Sequence, residues 1–428
     1  MRLVEIKTFS KVDEKIYYEK LDNGLEVYLY PTKKTKNFYI TISVKYGANV
    51  TKYKNEKETI EVIPGSAHFL EHKVMALSEN EDISKRINDL GSLANAWTSY
   101  YGTNYNIFGS INLRENLRLL LDIFYNTDIN EKNVEEEKGI IGEEIDMYKD
   151  QLDGELSKKL FDNLFHDSYV KNTVLGERKD VEKITAKHLN QIYKDFYATN
   201  NTFIIVCGDF NENEIIQDIK EYMKNVKPKK TPVPKRIKKK DLPTASVLYE
   251  EYNKKVSNQR VKYAIKIDKS LFGINDDTIL KYYIGMILSS NLSVTSKIFE
   301  NYKNNDIVIS MSYGVNIIDD YIIISVSALC KDDNKFIENI SKDIKKLVIK
   351  QDEFERKKKS VLKSVIIDFD SIEEIEYNIA TSLMIDGEID FDIYNSVNNM
   401  EYNKCKKIID IITKNINNNN VSIIKTIK

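Results

Sequence analysis

Residues 68–72 read His-Phe-Leu-Glu-His, and this pentapeptide constrains the fold more than any other stretch of the chain. Two imidazoles four residues apart lie on one face of a helix, close enough to hold one metal ion. Glu71, three residues after His68, projects from the same face. The order is the inverse of His-Glu-x-x-His. Neutral imidazoles hold Zn²⁺ without quenching its Lewis acidity, and a carboxylate beside a metal-acidified water can take its proton. The chain has only four His (His68, His72, His166 and His188), and two of them fall in this motif. That rarity favours a metal site over two surface His on a charged helix.

A catalytic zinc site usually has three protein ligands and one open position. The candidates for the third lie about seventy residues on, in a carboxylate-rich segment containing Glu135, Glu136, Glu137, Glu143 and Glu144. Ile140, Ile141, Ile145 and Tyr148 recur there at helical spacing. Glu137 and Glu144, seven apart, share a face, and Glu143 is turned away by about 100°. Alone, such a stretch reads as a solvated helix face. The histidine motif upstream changes that reading, because something must complete the coordination.

Three blocks make the chain resemble the pitrilysin/insulinase family of zinc peptidases, the inverzincins. It is most like the small bacterial members and the mitochondrial processing peptidase subunits. The blocks are Gly65-Ser66-Ala67-His68-Phe69-Leu70-Glu71-His72, Gly91-Ser92-Leu93-Ala94-Asn95-Ala96-Trp97-Thr98-Ser99 and Glu137-Lys138-Gly139-Ile140-Ile141-Gly142-Glu143-Glu144-Ile145. A weaker echo runs through Gly176, Ile184-Thr185, Tyr193, Tyr197, Asn201 and Gly208-Asp209-Phe210. The resemblance implies one Zn²⁺ held by His68, His72 and Glu144, with Glu71 as general base and Glu137 as a supporting carboxylate. It also implies that Asn95 and Ala96 lie beside a peptide substrate bound in extended form, as a strand added to a sheet edge. The residues allow this, since Leu93–Thr98 and Asn104–Phe108 are short runs rich in aromatics and Thr. Read without the resemblance, Asn95 is a turn residue.

Lys plus Arg number 64 and Asp plus Glu 66, for a net charge of −2, which gives no argument for a nucleic-acid partner. Cys207, Cys330 and Cys405 are odd in number and widely spaced; Cys207 and Cys330 sit in apolar runs and read as reduced core residues, which suits a cytoplasmic protein. The charged N-terminus shows no secretory h-region, and no segment has the length of a membrane span.

The 428 residues are enough for two domains. Four of the six Pro (Pro228, Pro232, Pro234 and Pro243) fall within sixteen residues, among Lys229, Lys230, Lys235, Arg236, Lys238, Lys239 and Lys240. Proline density with like charge predicts a stiff, solvated linker. The expected division is therefore a zinc-bearing domain at 1–226, a linker at 227–245 and a zinc-free domain at 246–428. Both sides run strands, helices, strands and helices in a similar order. This predicts two homologous α+β units, each a mixed sheet flanked by helices; the resemblance implies that such halves form a clam-like pair.

The second half has no His, so it cannot hold a second copy of the site. Many family members carry an Arg and a Tyr in this half, which grip substrate and stabilise the tetrahedral intermediate. Aligned on Ser296-Lys297-Ile298-Phe299-Glu300-Asn301-Tyr302-Lys303, those positions fall on Lys303 and Ile309. Lys lacks the bidentate fork and Ile offers no donor; Tyr302 or Tyr313 substitutes only if the alignment slips. Two-chain members divide these roles. The expectation is thus a zinc endopeptidase, with leader or precursor peptides as a possible substrate class. It would be the zinc-bearing subunit of a heterodimer whose homologous zinc-free partner supplies the Arg and Tyr. One rival is a non-catalytic binding or assembly subunit of a peptidase-like complex. The other is a structural or storage zinc protein, which would normally need a fourth protein ligand.

Overall fold

The computed structural model describes residues 5–75, 83–226 and 231–427. Pro228, Lys229 and Lys230 of the expected linker, and the first four residues read for a targeting signal, lie outside them. The fold is α+β, with two compact units each built on a mixed sheet flanked by helices. Among the described residues no helix is long and apolar enough to cross a membrane.

The first unit holds a seven-stranded sheet. Its strands are β1 (Glu5–Phe9), β2 (Glu14–Lys20), β3 (Glu26–Pro31), β4 (Phe38–Val44), β5 (Ser92–Thr98), β6 (Thr103–Gly109) and β7 (Thr202–Gly208), in the order β1-β2-β3-β7-β4-β6-β5. β3 and β7 pair in parallel and the other pairs are antiparallel. Phe-Ile-Ile-Val-Cys in β7 is buried on both faces, as a continuous apolar run in a central strand should be. One sheet face, with Ile40, Ile42, Ile107 and Ile204, packs into a core shared with the helix α1 (Ser66–Met75) and the long helix α2 (Glu131–Lys149). The other face, with Tyr30, Phe203 and Ile205, is covered by α3 (Ile372–Ile385) through Ile375, Ile379, Ala380 and Leu383. Full burial of each such Ile or Leu side chain contributes about 1.5–3 kcal/mol.

The second unit holds β8 (Tyr249–Asn253), β9 (Gln259–Asp268), β10 (Val308–Ile318), β11 (Tyr321–Cys330) and β12 (Val421–Ile427), in the order β8-β12-β9-β11-β10. Lys266, wholly buried in β9, pairs with Asp241 and lies 4.1 Å and 4.5 Å from the ring centres of Phe165 and Tyr321. Cys207, Cys330 and Cys405 are all buried and free.

The compact units are not the contiguous stretches expected from the linker. Residues 366–393 belong with the first unit, and residues 148–171 with the second. Hydrophobic burial explains both exchanges. α3 caps a sheet face of the first unit, while the helix Leu152–Leu164 packs on β9 and β12 of the second. The basic segment is also not wholly free. Lys235–Arg236 pairs with Lys52–Lys54, which itself pairs with Thr59–Glu61.

Candidate metal centre

α1 begins where two glycines cross. Gly65 and Gly176 both have positive φ, and a Cβ on either would come within 2.6 Å of a backbone carbonyl oxygen of the opposing loop. Only glycine fits that conformation and approach. The Ser66 hydroxyl then donates to the Ile63 carbonyl at 2.6 Å, at the start of the helix. Phe69, Leu70 and Val74 anchor α1 in the core. Helical spacing then leaves His68, Glu71 and His72 on the face toward α2 and β5.

The two imidazole rings stand edge to face, centres 4.6 Å apart. Glu144 reaches them from α2. Its Oε2 lies 3.5 Å from His68 Nε2 and 3.4 Å from His72 Nε2. Ligand atoms at zinc–nitrogen and zinc–oxygen lengths in a tetrahedral site are separated by about 3.3 Å. The donor set therefore fits a zinc ion with one position left open. Among the described residues these three form the one group of His, Cys, Asp and Glu whose ligand atoms converge in this way. Glu143 is exposed and turned away, as the helical geometry requires.

The surroundings act differently on the two imidazoles. Burial pulls the His68 imidazole down to about 3, so it is neutral across the ordinary pH range. Its Nδ1 is buried without a partner. His72 differs. Its Nδ1 sits 2.9 Å from Glu137 Oε1, while Glu137 Oε2 accepts from Lys73 Nζ at 3.2 Å. Burial raises the Glu137 carboxyl, but His72 and Lys73 outweigh it and the net shift is downward. An ionised Glu137 that fixes the His72 tautomer is the usual support for a metal-binding imidazole. Glu137 thus acts through His72 and is a positioning residue.

Glu71 is half-buried, and burial raises its carboxyl. Thr98 Oγ1 at the end of β5 donates to Glu71 Oε2 at 2.5 Å. β5 is the outermost strand, and among the described residues no strand pairs with its outer side. Asn95 is exposed there, opposite Asn106, and Ala96 is half-buried, opposite Tyr105.

Residues 55–178 match the model described as insulinase (peptidase family M16), and residues 183–361 match that of the peptidase M16 inactive domain. The chain belongs to peptidase family M16. Over 215 residues it is 33% identical to the uncharacterized zinc protease YmfH of Bacillus subtilis, covering 50% of each protein. Over 229 residues it is 26% identical to the mitochondrial-processing peptidase subunit beta of Saccharomyces cerevisiae, covering 50% of this chain and 46% of that one. The matched region thus spans about half the length of these relatives. The crystal structure of a putative M16-like peptidase from Alicyclobacillus acidocaldarius superposes with a TM-score of 0.87 at 21% identity, covering 96% of this chain and 98% of that one. A peptidase M16 inactive domain from Pseudomonas fluorescens gives 0.73 at 13%, covering 96% and 97%. At such identities these two show the M16 fold alone.

Two residues that the sequence argument assigned no role touch the site. Lys73 directly follows His72 in an apolar helix, and Thr98 lies inside the quoted Asn-Ala-Trp-Thr run. Both signals were available in the pattern. In the second unit, Lys303 Nζ donates to the Ile309 carbonyl at 3.2 Å, so the two aligned positions meet each other. Tyr302 is fully buried and its hydroxyl donates to Asp343 at 2.7 Å, which commits it to the core. Tyr313 lies half-exposed on β10. His166 Nε2 lies 3.2 Å from Thr244 Oγ1 and His188 Nδ1 3.0 Å from Thr185 Oγ1, and neither belongs to the converging ligand group.

Proposed function

We propose that this chain is a zinc endopeptidase that hydrolyses peptides bound in extended form. One observation carries the reading: the two Nε2 atoms and the Glu144 carboxylate converge beside Glu71, next to the outer edge of β5, which pairs with no strand among the described residues. In this donor set a bound zinc would supply Lewis acidity to the scissile carbonyl and the attacking water.

The chain's own residues do the rest. The free edge of β5 binds the peptide backbone, with Asn95 and Ala96 beside it. Glu71 takes a proton from the attacking water as oxygen adds to the carbonyl carbon. It then delivers that proton to the amine nitrogen as the C–N bond breaks. Thr98 keeps the Glu71 carboxylate aimed, and Glu137 with Lys73 keeps His72 aimed.

The chain works in this reading as the zinc-bearing subunit of a heterodimer with a homologous zinc-free chain. The support is the pair Lys303 and Ile309, where no guanidinium or phenol stands. Leader or precursor peptides are the proposed substrates, and the cytoplasm the proposed location. The naming of one matched model and one solved relative as inactive domains keeps a non-catalytic assembly role as the second reading. The test is to offer unstructured peptides to the zinc-loaded chain, alone and with the candidate partner, and to read products by mass spectrometry. Cleavage appearing or rising at least tenfold with the partner is expected. Intact peptides in both mixtures, at stoichiometric zinc, would favour the assembly role.

A further inference from the structure

At the start of β5, far along the strand from Thr98, the first unit contains a cavity of about 650 Å³. Leu93, Phe108 and Tyr39 stand in one cross-strand row on β5, β6 and β4, and all three line it. The Tyr39 and Phe108 rings are stacked, 5.5 Å apart and 7° from parallel. Ile372, from the first turn of α3, adds another apolar wall. Leu93, the outermost member of the row, is 58% exposed, a large apolar surface left uncovered on a strand edge. Ser92 also lines the cavity; it is 5% exposed, and its Oγ has no hydrogen-bond partner. Gly109 faces it, and a Cβ there would come within 2.5 Å of that oxygen.

A strand added to the outer side of β5 places one residue directly opposite Leu93, on the same face. Its side chain becomes the next member of the Leu93–Phe108–Tyr39 row. Five residues of extended chain separate Leu93 from Thr98, roughly 17 Å. We infer that this cavity is a distal substrate subsite, taking an aromatic or long aliphatic side chain about five residues from the scissile bond. The inference rests on the peptidase reading for its register, and on the cavity and the aromatic row for its chemistry. Such a subsite makes selection depend on a residue remote from the cut.

The experiment measures peptide affinity on the full zinc-loaded chain carrying Glu71→Gln, by fluorescence anisotropy. A labelled unstructured peptide carries Phe or Ser at each position in turn. One position, about five residues from the bond cut by the unsubstituted chain, should bind about tenfold tighter as Phe than as Ser. Leu93→Ser, a change at an exposed side chain, should bring that ratio close to one. A peptide that binds with no position preferring Phe, or a preference untouched by Leu93→Ser, overturns the subsite. A Leu93-dependent preference in a peptide that the unsubstituted chain never cuts, alone or with the partner subunit, supports the subsite and fails the peptidase reading. Absence of binding overturns both.

Discussion

Glu71 and Glu137 lie within one site yet face different tasks, and substitution separates them. Glu71→Gln keeps the shape and removes the base. The variant should bind zinc as the parent does and lose cleavage by about 10²–10⁴-fold. Metal content by atomic absorption beside product yield checks both halves of that statement. Glu137→Ala should act on the metal instead. Losing the carboxylate behind His72 should weaken zinc affinity by about 10–100-fold, as read by competition with a chromophoric chelator. Unchanged affinity would mean that His72 needs no such support. Both histidines and the face shared by Glu137 and Glu144 were legible in the sequence, because helical periodicity alone sets them. Thr98 and Lys73 were legible only as neighbours of the motif. What they touch depends on how β5 and α2 pack against α1, and no local spacing encodes that.

α3 shows what local reading misses among the elements. It closes a sheet face of the first unit from a point some 160 residues beyond the last strand of that sheet. Its helical pattern is readable, but which sheet it covers is a long-range choice. It also carries Glu376 into the interior, 2% exposed, where Asn104 Nδ2 donates to it at 3.0 Å. Burial pushes this carboxyl up to about 7 from its usual 4.5. The folded protein therefore binds the proton more tightly than the unfolded chain. Stability contributed by the protonated form is fully present below pH 4.5, falls as pH rises toward 7, and is flat above it. The whole loss is about 3 kcal/mol. Glu376→Gln should remove this dependence and raise stability at pH 8, measured as a higher urea midpoint there than in the parent, with a smaller difference at pH 4.5. Equal midpoints at both pH values would show that the carboxyl finds solvent. In the second unit β10 runs on to Ile318 and β8 begins at Tyr249. Cross-strand pairing with β11 and β12 sets those ends.

For the whole molecule, a two-unit α+β fold followed from the repeated order of elements, while the exchange of residues 148–171 and 366–393 between units did not. Segment order is written in the chain; which sheet a helix covers is decided by buried area. The metal should matter at this scale too. A native-only ligand present at a thousand times its dissociation constant stabilises by about 4 kcal/mol. Chelation should therefore lower the unfolding temperature by several degrees, and no change on chelation would argue that zinc is bound weakly or not at all. The most direct test of the central claim compares the parent and Glu71→Gln chains at equal, verified zinc occupancy, each with the partner subunit, against one mixed set of unstructured peptides read by mass spectrometry. New termini are expected with the parent, and at most about a hundredth as many with Glu71→Gln. Equal cleavage by both chains would contradict the assignment of Glu71 as the base and with it the proposed mechanism.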